Sequence, residues 1–169
     1  MKEITLCKDV FGNIYKVPTE DLKIRVGVYA VIIKDNKILL TRQWDGYGLI
    51  GGSIEKGETV EEAIIREVKE ETGLDIVPDK IIYQTTTFFK RDENSEPHHS
   101  VQLYFNHSKI SGAITNKNIT QSEKKYTYSI PEWVDINNIN EIVFRHSVDL
   151  KTILKAYNEN CKNNKKEEI

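Results

Sequence analysis

Apolar residues recur along this chain in two rhythms. In Val26 to Arg42 (VGVYAVIIKDNKILLTR), two β-branched and aliphatic runs flank Asp35-Asn36. This pattern predicts a hairpin in which Val26 to Ile33 pairs with Lys37 to Arg42, both runs facing the core. Shorter alternating runs from Ile4 to Val17 lie around the turn signal Gly12-Asn13. From Thr59 the period changes to that of a helix. Thr59 suits an N-cap, Glu61 and Glu62 suit the positive helix start, and Gly73 supplies a stop.

Between these regions lies DGYGLIGGSIEKGE, which holds five of the nine glycines (Gly46, Gly48, Gly51, Gly52 and Gly57). It predicts a shaped loop, since so much glycine disfavours a regular helix or a long uniform strand. Leu74 to Val77, Lys80 to Phe89, Val101 to Asn106 and Tyr126 to Val134 read as strands, with a polar loop over Arg91 to His98 and a variable loop after Asn106. Asp135 to Glu141 holds a short helical turn at most. Ser147 to Asn158 reads as a helix capped by Ser147, with Val148, Leu150, Ile153, Leu154 and Tyr157 on its apolar side. The expected architecture is a mixed sheet with helices on its two faces. The expected organisation is one domain over residues 1–160, followed by a fraying polar tail over 161–169.

Composition narrows the function. The chain has 169 residues, 38% hydrophobic and 30% charged, with 24 basic and 26 acidic side chains and a net charge of -2. Such a balance gives no support to a surface that coats nucleic acid. No apolar run has the length of a signal peptide or a membrane span, so a cytoplasmic protein without a membrane partner is expected. Cys7 and Cys161 are read as reduced thiols, because neither has a Cys or His neighbour at metal spacing.

At about 100° per residue, Glu70 and Glu71 fall within roughly 60° of Glu67 on a helical wheel. The three carboxylates therefore share one stripe beside the apolar arc of Ile64, Ile65 and Val68, while Glu62, Arg66 and Lys69 form a third side. From Glu55 to Glu71 there are seven acids against three bases. Like charges so placed repel, and a hard divalent cation would relieve them. An acidic helix run is by itself more often a solvated face.

The preceding loop changes that balance. Gly52, five residues, Glu58, seven residues, then Arg66-Glu67-Val68-Lys69-Glu70-Glu71-Thr72-Gly73-Leu74 resembles the Nudix box at every position. The resemblance implies a Nudix-type α/β/α sandwich with a mixed β-sheet and a catalytic loop-helix-loop. It also implies a hydrolase of nucleoside diphosphates linked to a second group. Many relatives carry a proline before the paired glycines, where this chain has Ile50. By resemblance Glu67, Glu70 and Glu71 hold Mg2+, with Mn2+ able to substitute, helped by the Gly51 carbonyl. Glu67 would double as the base, and Arg66 and Glu58 would orient it. An acid outside the box often assists in this family; Glu123 is the candidate, with Glu93 or Glu96 as alternatives.

Trp44, Tyr47, Arg91 and His98 are the candidate substrate contacts. Packing accounts for Trp44 and Tyr47 equally well, and a solvated strand end is the plainer account of Lys90 and Arg91. A metal role for His98 and His99 is disfavoured because adjacent side chains on an extended chain point apart. Trp133 is read as core. The expected substrate is a small nucleotide, with a lean to triphosphates over ADP-ribose or nucleotide sugars. A non-catalytic nucleotide sensor and an RNA-end hydrolase stand as alternatives. The expected state is monomer or homodimer.

Overall fold

The structure, a computed structural model, describes residues 3–43, 45–115 and 130–167, with side chains to residue 162. Strands β1 (Ile4–Lys8) and β2 (Ile14–Pro18) precede a 3-10 turn at Thr19–Asp21 and strand β3 (Lys23–Ala30). Next come β4 (Ile33–Lys34), β5 (Lys37–Gln43), β6 (Gly46–Gly48) and β7 (Ile50–Ser53), then helix α1 (Val60–Thr72). Long strands β8 (Asp75–Phe89) and β9 (His98–Ser111) lead to β10 (Glu132–Asp135), a 3-10 turn at Ile136–Asn138, and helix α2 (Leu150–Glu167).

One sheet has the order β2-β1-β8-β9-β3-β7, parallel at β1/β8 and β3/β9 and antiparallel elsewhere. A second has the order β10-β5-β4, with β6 pairing β5. The second half of β3 and the middle of β5 are buried on both faces, and alternation along them divides the core in two. Val28, Ala30, Ile32, Leu39, Ile50 and Phe105 pack with Ala63, Ile64 and Val68 of α1. Their neighbours Tyr29, Val31, Ile38, Leu40, Leu49 and Tyr104 pack with Leu150, Ile153 and Leu154 of α2. Helices thus cover opposite faces, as an α/β/α sandwich requires. Trp133 packs against the first cluster, in keeping with its core reading. No described helix is long and apolar enough to cross a membrane.

Several sequence expectations need correction. The predicted hairpin does not form over its full length. Asp35 and Asn36 do turn the chain, both in the left-handed region (φ 49° and 58°) that such a two-residue turn demands. Of the expected first arm only β4 pairs with β5, however, whereas β3 lies between β9 and β7. Val31 and Ile32 carry the chain from one sheet to the other. The glycine-rich stretch is not all loop: β6 and β7 lie within it. Strand β8 continues through Pro78, which is accommodated by shifts in register between Val77 and Tyr83. Strand β9 starts earlier and ends later than expected, taking His98 out of the polar loop.

Helix α2 is capped by Asp149, not Ser147: Thr152 N donates to Asp149 Oδ1 at 2.9 Å. Ser147 instead exchanges hydrogen bonds with Gln102. The helix also runs through the polar tail to Glu167. Of the strand expected from Tyr126 to Val134, residues 116–129 lie outside the described part. Cys7 and Cys161 are both free thiols.

Candidate active site

Local signals place the acidic stripe. The Thr59 hydroxyl accepts from Glu62 N at 3.2 Å, and the Glu62 carboxylate accepts from Thr59 N at 2.8 Å, closing a capping box at the start of α1. Gly73, at φ 75°, ends the helix and returns its N–H to Lys69 O. Between these stops Ala63, Ile64 and Val68 are sealed in the core, which carries Glu67 and Glu71 inward on the neighbouring stripe. They are only 4% and 3% exposed.

Arg66 organises the acids. Its Nε and Nη2 donate to the two oxygens of Glu58 at 2.6 and 3.0 Å. Nη1 reaches Glu67 at 3.0 Å and Glu70 at 3.1 Å, and Nη2 also donates to Ser53 O at 3.0 Å. Glu58 accepts a further bond from Glu55 N. The Arg66 guanidinium, followed by the Glu55 N–H, holds the Glu58 carboxyl down at about 2. The same carboxylates, Glu58 foremost, raise the pKa of Arg66.

The glycine turn is shaped by close approaches. Gly51 N donates to Glu71 Oε2 at 3.0 Å. A Cβ on Gly51 would strike the Val28 carbonyl of β3, and its φ of 138° also favours glycine. A Cβ on Gly52 would occupy the place of the Glu67 carboxylate. The glycines therefore let β7 lie against β3 on one side and Glu67 on the other.

Glu67, Glu70 and Glu71 all line a cleft of about 470 Å³. Among the described residues, no three His, Cys, Asp or Glu groups are gathered as a metal cage; Arg66 takes up oxygens of Glu67 and Glu70. The donor set nonetheless fits a hard divalent cation. It consists of oxygens alone, from three carboxylates, two of them on nearly buried side chains, and the Gly51 carbonyl, and oxygen is what magnesium prefers.

Distant segments complete the lining of the cleft. Arg25 of β3 donates through Nε to Ser53 Oγ at 2.8 Å, and through Nη1 to Tyr29 OH and Ser100 Oγ at 3.2 and 3.3 Å. Tyr104 OH donates to Gln102 at 2.8 Å and meets His146 Nε2 at 2.8 Å. Burial, followed by the charge of Arg25, pushes the His146 imidazole well below its ordinary value. The segment carrying His146 is docked on β6: Tyr47 N donates to Val143 O at 2.8 Å, and Arg145 N donates to Tyr47 O at 2.7 Å. Arg145 also clasps both oxygens of Asp45 at 2.7 Å.

Of the expected substrate contacts, Arg91 and His98 line the cleft. Burial, followed by Arg25, lowers the pKa of His98. Tyr47 does not line it; its ring joins the second core cluster under Arg42, and its hydroxyl donates to Glu132 at 2.8 Å. Glu93 and Glu96 are exposed and do not line the cleft, although Glu96 lies close enough to act on His98, which does. Trp44 and Glu123 lie outside the described residues. Sequence reading missed Arg25, Gln102, Arg145 and His146, because long-range strand pairing brings them together. The cue within reach was the alternation of Arg25, Gly27 and Tyr29 on one face of a strand.

Comparison with known proteins identifies the family. A family model described as NUDIX domain matches residues 23–155. The ADP-ribose pyrophosphatase of Methanocaldococcus jannaschii is 33% identical over 138 residues, which cover 79% of this chain and 75% of that protein. Nucleoside triphosphatase NudI of Salmonella schwarzengrund is 28% identical over 122 residues, 71% of this chain and 84% of its own. A NUDIX hydrolase structure from Nitrosomonas europaea shares the fold with a TM-score of 0.60 and 21% identity, over 82% of this chain and 90% of that one. The matched family span contains both the Arg66 network and the distant residues that complete the cleft, and the chain belongs to the Nudix hydrolases, enzymes that cleave pyrophosphate bonds.

Proposed function

We propose that this chain uses a divalent cation, Mg2+ first, to hydrolyse the diphosphate of a nucleoside diphosphate joined to a second group. The observation that carries this reading is the pair of nearly buried carboxylates, Glu67 and Glu71, lining a cleft that Arg25 and Arg91 also line. Glu67, Glu70 and Glu71 would hold the ion, with the Gly51 carbonyl beside them. When bound, such an ion offsets charge on a diphosphate and lowers the pKa of water. Glu67 would accept the proton of the attacking water as the water oxygen bonds to phosphorus and the P–O bond to the leaving phosphate breaks. Arg66, fixed by Glu58, keeps the Glu67 carboxylate in place. Arg91 and His98, which line the same cleft, contact the substrate.

An ADP-ribose-like substrate is the first candidate, because the Methanocaldococcus jannaschii relative bears that name and shares a third of its aligned residues. Nucleoside triphosphates are the second, on the likeness to NudI. Purified protein with Mg2+ should be tested against ADP-ribose, nucleoside triphosphates, sugar nucleotides, dinucleoside polyphosphates and capped RNA, with products identified by chromatography. ADP-ribose should yield AMP and ribose phosphate. Triphosphates consumed in its place would move the substrate to the second candidate, and intact diphosphates throughout would end the reading.

A further inference from the structure

Arg25 is set apart from the other four arginines of the chain. Arg42, Arg66, Arg91 and Arg145 each pair with a carboxylate. Arg25 is held only by the neutral hydroxyls of Ser53, Tyr29 and Ser100. Among the described residues no carboxylate pairs with it, and none accepts from its Nη2. Arg25 lines the cleft, and both cleft histidines register its charge: after burial, Arg25 is the next cause lowering the pKa of His98 and of His146.

Its position depends on a gap. Residues 25, 27 and 29 of β3 share one face, and a Cβ at Gly27 would stand 2.8 Å from Arg25 Nη1 and 3.1 Å from the Tyr29 ring. Glycine at 27 therefore lets the guanidinium fold back across the strand to Tyr29. Ser53, which takes the Nε proton, follows Gly52 directly and also gives its carbonyl to Arg66. The guanidinium is thus fixed one residue from the turn that receives Glu67.

We propose that Arg25 is a substrate-binding residue that takes a phosphate oxygen of the diphosphate, and that Gly27 is the gap that allows it. A pre-positioned guanidinium lacking a carboxylate gains a charge-assisted bond to phosphate without first breaking an ion pair. The proposal rests on the diphosphate reading above, but it is tested by binding alone.

The probe is α,β-methylene-ADP, whose P–C–P bridge resists hydrolysis, titrated with Mg2+ by calorimetry at several salt concentrations. Arg25→Ala should weaken binding by about ten- to a hundredfold, the range for one charge-assisted hydrogen bond, and should flatten its salt dependence. Arg25→Lys should recover part of the loss. Gly27→Ala should weaken binding with the arginine still present. Lys16→Ala, an equal charge change on the exposed strand β2, should leave binding unaltered. Melting curves for each variant show whether the fold is kept. Wild-type affinity in both Arg25→Ala and Gly27→Ala would overturn the proposal, as would a wild-type protein that does not bind the analogue. If the analogue binds through Arg25 while ordinary diphosphates stay uncut, the hydrolytic reading fails and this assignment stands.

Discussion

Arg66 grips Glu58 with two parallel hydrogen bonds, 2.6 Å from Nε and 3.0 Å from Nη2. The Glu58 carboxyl is held at about 2, against an ordinary 4.5. A carboxylate with a lowered folded-state pKa adds stability that is complete above its unfolded value and disappears as pH falls through the folded one. The Tm difference between wild type and Glu58→Gln should therefore be constant above about pH 5 and shrink between 4.5 and 2. A pH-independent difference would mean that the pair adds no linked stability.

The two glycines of the turn should fail differently. Gly51→Ala meets a backbone carbonyl at a φ of 138°, so the fold itself should lose about 1–3 kcal/mol. Gly52→Ala meets only the far end of the Glu67 side chain, which can swing aside. Its Tm should change little while activity collapses. Denaturant melts alongside turnover assays distinguish the two, and equal loss of Tm in both would refute the distinction.

Glu67→Gln keeps the size of the side chain and removes its charge. If Glu67 receives the proton from water, kcat should fall by about a hundredfold to ten-thousandfold, with Tm preserved or raised because a nearly buried charge is gone. Turnover near wild type would remove Glu67 from the mechanism.

A cation that binds the folded acids should stabilise them by linkage. At a hundred times its Kd, Mg2+ or Mn2+ should add about 2.7 kcal/mol, seen as a higher Tm that chelator reverses. Glu71→Gln, which removes one buried charge and leaves the Gly51 N–H an uncharged acceptor, should blunt the shift. Thermal melts unchanged by either metal would argue against an ion among these residues.

What could be read from the chain was what neighbouring residues decide between themselves. The limits of α1 follow from Thr59, Glu62 and Gly73, all within a few residues of the bonds they make. The acidic stripe follows from helical geometry alone. Pairing across the sheet obeys no such local rule. Val26 to Ile33 carries the hydrophobicity of a hairpin arm, yet β3 gains more by lying between β9 and β7, with cores on both faces. Ser147 looked like a cap, but Asp149 lies closer to the helix and Gln102 claims the serine. Tyr47, read as either a substrate contact or a packing residue, has Glu132 as its hydroxyl partner across 85 residues. Arg25 meets Ser100 across 75, a contact that no window along the sequence contains.

The alternation along β3 has a chemical corollary. Val28 and Ala30 point toward α1, and Tyr29 and Val31 toward α2. Sliding that strand by a single position would exchange the two sets, crowd a tyrosine into the space of an alanine, and turn Arg25 away from Ser53. A wrongly zipped molecule would thus be catalytically dead as well as badly packed. In refolding experiments, recovered specific activity should count the molecules whose central strand found its proper alignment.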